Sequence, residues 1–156
     1  MALGLLNLDI QPVRGNAALL PNQPIIQGCV VSASEEATLV PGDIVALASG
    51  GADEVIVVKK AAVTDTPCGV VVGNPIKTGF VAGERVSIFP EDSYVYLPAG
   101  AANLARGSKL QFNSSGKVVA TTTATSAYVG IAWSAGTAED DLIIVQIKPE
   151  AAASST

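Results

Sequence analysis

Apolar residues alternate with polar or small residues through much of the segment from Gly107 to Ile147. Leu110 and Phe112 have polar neighbours on both sides, which is the period of two expected for a half-buried strand. The tetrapeptide Asn-Ser-Ser-Gly at 113–116 is a predicted turn in which the glycine supplies a positive φ. Further strands are predicted at 117–123, at 128–134 and at the alternating positions Ile143, Val145 and Ile147. The pattern therefore predicts a compact β-unit.

Part of this unit occurs twice along the chain. Residues 42–51 (GDIVALASGG) align without a gap with residues 107–116 (GSKLQFNSSG). In both, a glycine and two further residues precede two apolar residues that are separated by one polar or small residue. A Val-rich strand and a Gly-containing apolar run follow in each case, so we predict an internal duplication that relates 42–73 to 107–134. Chance matches between the glycine turns of a β-protein are the alternative, because fewer than three full repeats are weak evidence.

The rest of the chain also consists of short apolar runs between turns. Strands are predicted at 25–33, 44–48, 54–58, 66–73, 85–89 and 94–97. Pro98 to Arg106 (PAGAANLAR) has the strongest helical pattern, one or two turns long. Short strands without a long amphipathic helix predict an all-β fold, a compact sandwich or barrel-like domain of short antiparallel strands with at most one short helix.

The two ends of the chain depart from this pattern. Residues 1–24 contain three prolines and no periodicity, and we interpret them as an extended N-terminal arm that lies on the protein's own surface or on a neighbour. The alternative is an N-terminal strand and loop that complete this domain's own core. Residues 25–148 form the predicted β-rich body, and the Ala- and Ser-rich residues 149–156 a flexible tail. The arm carries seven leucine and isoleucine side chains, which are Leu3, Leu5, Leu6, Leu8, Ile10, Leu19 and Leu20.

Composition limits the chemistry that this chain of 156 residues can perform. It contains no histidine, which removes the commonest general base and the commonest zinc ligand. Its formal net charge is −5, with no basic cluster beyond Lys59-Lys60, so nucleic-acid binding is not expected. The apolar residues are mostly Ala, Val, Ile and Leu, which favours one sheet-based domain.

Nothing in the sequence indicates a membrane or an oxidising compartment. No apolar run is long enough to span a bilayer, and no basic residue precedes the short apolar patch at the N-terminus, as a signal peptide would require. We therefore expect synthesis in a cytoplasm and no membrane partner. Cys29 and Cys68 each lie in an apolar, strand-like run, so we interpret them as small buried thiols and not as a disulfide or a metal pair.

Three polar segments are candidate sites. GNPIKTG at 73–79 has a Lys-Thr pair but lacks the spacing of a phosphate-binding loop, so it is interpreted as a turn. Glu91-Asp92 and Glu139-Asp140-Asp141 could bind a divalent cation or act as acid and base. Both acidic groups lie at predicted turns without a supporting loop pattern, so solvated loops are the preferred interpretation. We predict no catalytic residue, no cofactor and no metal, and we expect that the chain is not an enzyme.

Six motifs, taken in order, resemble one family of proteins. They are PGDIVAL, CGVVVG, AGERVSIF, ARGSKLQFNSSGKVV, YVGIAW and the final strand LIIVQI, and they fall within residues 25–148. This combination is similar to the capsid cement, or head-decoration, proteins of tailed bacteriophages. The resemblance implies a small β-rich structural protein that binds the outside of an expanded icosahedral head, often as a trimer, and locks neighbouring capsomers together.

The same resemblance implies the partners and the location. The partners would be the major capsid protein and further copies of the chain, and the place would be the outer capsid surface of the virion. The arm is similar in character to those with which such proteins reach capsid subunits, so its seven apolar residues are the predicted contacts.

Two other functions remain open from the sequence. One is a receptor- or carbohydrate-binding β-domain of a virion fibre or spike, with Tyr94, Tyr96, Tyr128 and Trp133 as its aromatic platform. Trp133 lies inside the apolar run VGIAW, so we expect it to be buried, which argues against this function. The other is a small enzyme, which would require a pocket lined by two or more carboxylates or a bound metal.

Overall fold

The computed structural model describes residues 13–18, 23–50, 55–73, 76–120 and 123–153. Within these residues the chain forms ten β-strands and no helix, which confirms the all-β prediction. The strands are β1 (Ile26–Val31), β2 (Ile44–Leu47), β3 (Val57–Lys60), β4 (Pro67–Val71), β5 (Arg85–Phe89), β6 (Tyr94–Pro98), β7 (Lys109–Phe112), β8 (Val118–Val119), β9 (Tyr128–Ala132) and β10 (Leu142–Glu150). No helix of the described part is long and apolar enough to cross a membrane.

The strands form two sheets that follow one another along the chain. Strands β1 to β5 close into a barrel in the order β1-β3-β2-β4-β5, and antiparallel pairing of β1 with β5 completes the closure. Within the barrel, β1 and β3 run parallel, with Val31 opposite Val58. Strands β6 to β10 form a second, five-stranded sheet in the order β6-β10-β9-β7-β8.

The two sheets have the same strand order when their strands are matched in sequence. The barrel order β3-β2-β4-β5-β1 corresponds strand by strand to β8-β7-β9-β10-β6 in the second sheet. The turn before β2 and the turn before β7 make the same backbone contacts, since Gly42 N–H donates to the carbonyl of Val71 and Gly107 N–H donates to the carbonyl of Ala132. A parallel bridge between the residue after β6 and β8 repeats the pairing of β1 with β3. We propose the internal duplication on this basis.

The buried apolar side chains of the described residues form two cores, and the two sheets share one of them. The barrel core contains Cys29, Val31, Leu39, Val45, Val58, Val71, Phe80, Val86 and Ile88. The second core combines the inward residues of β6 to β10 with Ile44, Val70 and Phe89 of the barrel. Burial of each large apolar side chain contributes roughly 1.5–3 kcal/mol, so the shared core holds the barrel against the sheet.

Residues 98–106 do not form the predicted helix, and this prediction was wrong. Asn103 has a φ of 61°, which lies outside the helical region. Leu104 forms an antiparallel bridge with Gly136, and Ala99 N–H donates to the carbonyl of Asp141 at 2.8 Å. Because the backbone groups of this segment pair with a neighbouring loop, tertiary contacts override its local helix propensity.

Strand β10 continues to Glu150, two residues beyond the predicted end of the body. Glu150 lies opposite Tyr128 of β9, and its Oε2 is 2.6 Å from Nζ of Lys109. Residues 149 and 150 therefore belong to the second sheet, while residues 154–156 lie outside the described ranges.

Gly116 has a φ of 72°, which confirms the predicted positive φ in the turn between β7 and β8. Replacement of Gly116 by valine should lower the free energy of unfolding by about 1–3 kcal/mol, because a β-branched residue is strained in this region. Thermal unfolding followed by circular dichroism measures the effect, with Ser115→Val at the neighbouring exposed position as the matched control. Equal melting temperatures for the two variants would contradict the proposed strain.

Candidate binding surfaces

The apolar residues predicted to contact the capsid lie outside the described residues. These are Leu3, Leu5, Leu6, Leu8, Ile10, Leu19 and Leu20. Their role stays a prediction. The structure does describe residues 13–18 of the same segment, and these form backbone contacts with the body.

Residues 13–18 run along the edge of β6. Ala17 forms an antiparallel bridge with Val95, and Gly15 N–H donates to the carbonyl of Tyr96 at 3.0 Å. Ala18 N–H donates to the carbonyl of Tyr94 at 2.7 Å. The segment therefore adds a short piece of strand to the β6 edge of the second sheet. Residues 1–12, which include five of the seven predicted contact residues, precede this anchored segment in the sequence.

A charge cluster fixes the same segment to the barrel. Arg14 Nη2 lies 2.9 Å from Oδ1 of Asp43, whose side chain is only 1% exposed. Lys60 Nζ is 3.7 Å from the same oxygen, and Val40 N–H donates to Oδ2 at 2.8 Å. A buried carboxylate is tolerated only where it is paired and hydrogen-bonded, so Arg14 is part of the structure that stabilises Asp43.

The outer face of the second sheet carries aromatic side chains. Tyr94 and Tyr96 lie opposite Gln146 and Ile144 of β10, and because they are two residues apart on β6 they share one face. The ring of Trp133 is 5.1 Å from that of Tyr94 in an edge-to-face arrangement. Its Nε1–H donates to Oε1 of Gln146 at 2.9 Å. The rings of Trp133 and Tyr94 are thus held in a fixed orientation on this face.

The prediction that Trp133 is buried was wrong, since the residue is 39% exposed. A strict period of two that starts at the buried Val129 would turn both Ile131 and Trp133 inward. The pairing of β9 with β7 instead shifts register, because Leu110 lies opposite Gly130 while the next residue of β7 lies opposite Tyr128. The extra residue makes Ala132 an inward residue and directs Trp133 outward. The regular alternation of apolar residues gives no signal for such a bulge.

Trp133 forms one wall of a groove of about 290 Å³ on this face. The groove is lined by Arg106, Gly107, Ile131, Ala132, Trp133 and Gln146. It combines apolar surface with the polar ends of an arginine and a glutamine, a composition typical of binding sites in proteins.

Two larger concavities lie on the barrel. The first, of about 450 Å³, contains Arg85 as its charged lining residue and otherwise small, apolar or amide side chains, among them Gln27, Val72 and Phe80. The second, of about 430 Å³, is lined by Val30, Ser32, Val55, Val57 and neighbouring small residues of the described chain. Neither offers the pair of carboxylates that the enzyme hypothesis requires.

The acidic group at 139–141 is engaged in local contacts. Lys117 Nζ lies 2.8 Å from Asp140 and 2.9 Å from Glu139, and these two carboxylates raise the pKa of the lysine. Asp141 accepts hydrogen bonds from Ala138 N–H and from the backbone and hydroxyl of Thr137, which lower the pKa of its carboxyl. The described ranges contain no group of three or more His, Cys, Asp and Glu that could hold a metal ion.

The remaining polar candidates also have structural roles. Asp92 occupies a turn with a φ of 68°, and its Oδ1 is 3.4 Å from Nζ of Lys148. Cys29 is a buried free thiol and Cys68 a half-buried one. Burial raises the pKa of both, that of Cys68 to about 11, so both are protonated and weakly nucleophilic at neutral pH.

The comparisons with known proteins agree with this architecture. Residues 26–147 match a family model described as phage cement protein, which confirms the resemblance seen in the sequence. The fold is similar to that in the crystal structure of the head fiber gp8.5 N base in bacteriophage phi29, with a TM-score of 0.56 and 19% identity over 80% of this chain and 95% of that chain. At this identity the likeness shows a shared fold alone, and none of the curated proteins compared with the sequence matches it. The family match runs from β1 into β10, so the chain belongs to the phage cement protein family and is a structural protein of a phage virion.

Proposed function

We propose that this protein binds the outer surface of an expanded icosahedral phage head and cements neighbouring capsomers. The observation that carries the proposal is the family match across residues 26–147. The proposed partners are the major capsid protein and other copies of the chain, which would form a homotrimer on the capsid. The protein would be made in the cytoplasm of the bacterial host before it binds the head.

The physical properties of the body support this role. A cement protein needs a rigid domain, and here a closed barrel and a second sheet share one apolar core. Binding only to the assembled head would stabilise that head by mass action. Many weakly bound copies would add their effects because each copy links subunits that are already held in place.

The proposed function needs no catalysis, nucleic acid or membrane. The family is one of structural virion proteins, and we propose no enzymatic activity. The sequence lacks histidine, and the carboxylates at 139–141 make local contacts with Lys117 and with the turn itself. A net charge of −5 repels nucleic acid and anionic lipid.

Deletion of residues 1–12 should weaken binding to heads by at least about tenfold, which is a loss of roughly 1.4 kcal/mol, while the body stays folded. The reason is that this deletion removes five of the seven apolar arm residues but keeps Arg14 and Ala18, which contact the body. Co-sedimentation with heads measures binding, and circular dichroism measures folding. Unchanged binding by the deletion variant would contradict the role of the arm.

The proposed function is tested by the heat resistance of heads. Expanded heads prepared without the protein are incubated with a saturating amount of it and heated in steps, and the release of packaged DNA is followed by dye fluorescence. The proposal predicts release at a higher temperature with the protein than without it. The same release temperature, despite bound protein, would show that the chain decorates the head without cementing it.

A receptor- or carbohydrate-binding domain is the second candidate function. The observation in its favour is the exposed indole of Trp133 beside Tyr94, which the sequence had predicted to be buried. Binding of the isolated protein to a glycan array, lost in Trp133→Ala or Tyr94→Ala, would support this candidate. An array without any bound glycan would exclude the sugars tested.

A further inference from the structure

One row of barrel residues is buried because the second sheet packs against it. Ile44, Val70 and Phe89 lie directly opposite one another on β2, β4 and β5. All three are buried in the core that the barrel shares with the second sheet. This row is therefore part of the surface through which the first half of the chain contacts the second half.

The matching row in the second half is open. Lys109, Ile131 and Gln146 lie opposite one another on β7, β9 and β10, in the strand positions that correspond to Ile44, Val70 and Phe89. Lys109 is exposed and the other two residues are half-buried. Trp133, which follows β9 as Val72 follows β4, lies beside this row and walls the groove of about 290 Å³.

Within one chain, the hairpin of β7 and β8 in the second half contacts the barrel near this row. The hairpin of β7 and β8 abuts the start of β2, where a side chain at Gly116 would lie 3.3 Å from Arg14 and 3.9 Å from Asp43. Phe112, the last residue of β7, is only 3% exposed as part of the shared core.

The corresponding hairpin of β2 and β3 has no such cover in the described structure. Leu47, which occupies the position of Phe112, is 63% exposed. Val55 and Ile56, which lead into β3, are also exposed. These three exposed apolar side chains belong to the same hairpin of the barrel, and together they are here called the hairpin patch.

We propose that the hairpin patch of one copy docks in the groove beside Trp133 on a second copy. The contact would repeat between copies the packing that already joins the two halves within one chain. The hairpin patch is apolar, and the groove presents the apolar side chains of Ile131, Ala132 and Trp133 between the polar ends of an arginine and a glutamine. Their association therefore removes apolar area from water on each side. This inference rests on the proposed self-association and names its surfaces.

The proposed interface joins two different surfaces, so it is heterologous. A heterologous contact closes into a ring when the rotation between neighbours divides the circle evenly. In the proposed homotrimer, three copies in such a ring would place six matched halves around one axis. Every hairpin patch and every groove would then be covered.

The test uses the full-length protein and two single variants in sedimentation equilibrium. Leu47→Asp puts a charge in the hairpin patch at an exposed position, and Trp133→Ala removes the aromatic wall of the groove. Each should weaken self-association by at least about 30-fold, because a charge or a lost aromatic at the centre of an apolar contact removes much of its affinity. Val81→Asp, which changes another exposed apolar residue, is the matched control and should associate like the wild type.

Mixing the two variants tests the heterologous geometry. Leu47→Asp retains an intact groove and Trp133→Ala an intact hairpin patch. An equimolar mixture should therefore form a heterodimer at a concentration at which each variant alone is monomeric. Because Leu47 is exposed, its variant should keep the wild-type circular dichroism spectrum, which separates lost association from lost fold.

Three results would overturn the inference. The first is a wild-type protein that stays monomeric up to about 1 mM, where even weak protein association registers. The second is an oligomer that neither variant weakens. The third is a monomer whose Trp133 groove instead binds a glycan. Head binding by the monomeric Leu47→Asp variant is measured separately, so failure of this interface does not decide the proposed function.

Discussion

Replacement of Gly130 by alanine should lower the free energy of unfolding by about 3 kcal/mol, the upper end of the usual range for overpacking. Gly130 lies in β9 beside β10, and a Cβ atom there would overlap the backbone carbonyl oxygen of Gln146. That oxygen belongs to a strand paired on both sides, so it cannot move without disrupting the sheet. Gly69 occupies the matching place in the barrel, where a Cβ would lie 2.5 Å from the carbonyl oxygen of Phe89.

Urea denaturation of Gly130→Ala against wild type measures this loss. Gly107→Ala is the control, because a Cβ at Gly107 would have no neighbour within 4 Å and would meet only the strain of a φ of 87°. The control should lose about 1 kcal/mol. Losses of equal size in the two variants would show that close strand packing at Gly130 is not the cause.

Replacement of Arg14 by alanine should lower the free energy of unfolding by about 2 kcal/mol. The buried carboxylate of Asp43 would then keep only Lys60, at 3.7 Å, as a charged partner. The loss is smaller than for a fully buried ion pair because the Arg14 side chain is one-third exposed. Urea denaturation again gives the measurement.

Lys59→Ala is the control for the loss of a lysine or arginine from an ion pair. Lys59 pairs with Asp65 at 2.9 Å, but both side chains are partly exposed, so the variant should lose no more than about 0.5 kcal/mol. If Arg14→Ala loses as little as Lys59→Ala, the ion pair between Arg14 and Asp43 does not contribute to the stability of the body.

The sequence predicted those parts of the fold that depend on local patterns. The alternation around Leu110 and Phe112 located β7, and the glycine of its turn was correctly assigned a positive φ. The apolar run from Tyr128 to Ser134, which contains Gly130, predicts a strand, and β9 occupies Tyr128–Ala132 of it. The reason for that glycine is its contact with β10, which only the paired sheet shows.

The errors have tertiary causes. Trp133 is exposed because a bulge in β9 reverses the alternation of inward and outward side chains along the strand. The spacing of apolar residues in the sequence does not reveal such a bulge. Residues 98–106 have helix-compatible composition, but their backbone pairs with the loop around Gly136. The second sheet also uses three barrel residues in its core, although the sequence of β2, β4 and β5 does not show which of their two faces meets another sheet.

The candidate surfaces were predictable only in part. The sequence placed Tyr94 and Tyr96 on one face, but the groove beside Trp133 requires residues from β9, β10 and the turn before β7. The hairpin patch follows from a comparison of Leu47 with its buried counterpart Phe112, which the alignment of the two segments had already paired. The sequence does not show which of the two is exposed, because the exposure of Leu47 and the burial of Phe112 depend on how the two halves of the chain pack together.

Co-sedimentation with expanded heads of the source phage, prepared without this protein, tests the central claim most directly. The cement role predicts saturable binding at a fixed ratio to the major capsid subunit, and that ratio identifies the symmetry site that each oligomer occupies. Absence of binding to expanded heads, at protein concentrations well above those in an infected cell, would contradict the cement role. The protein would then have to bind a part of the virion other than the head.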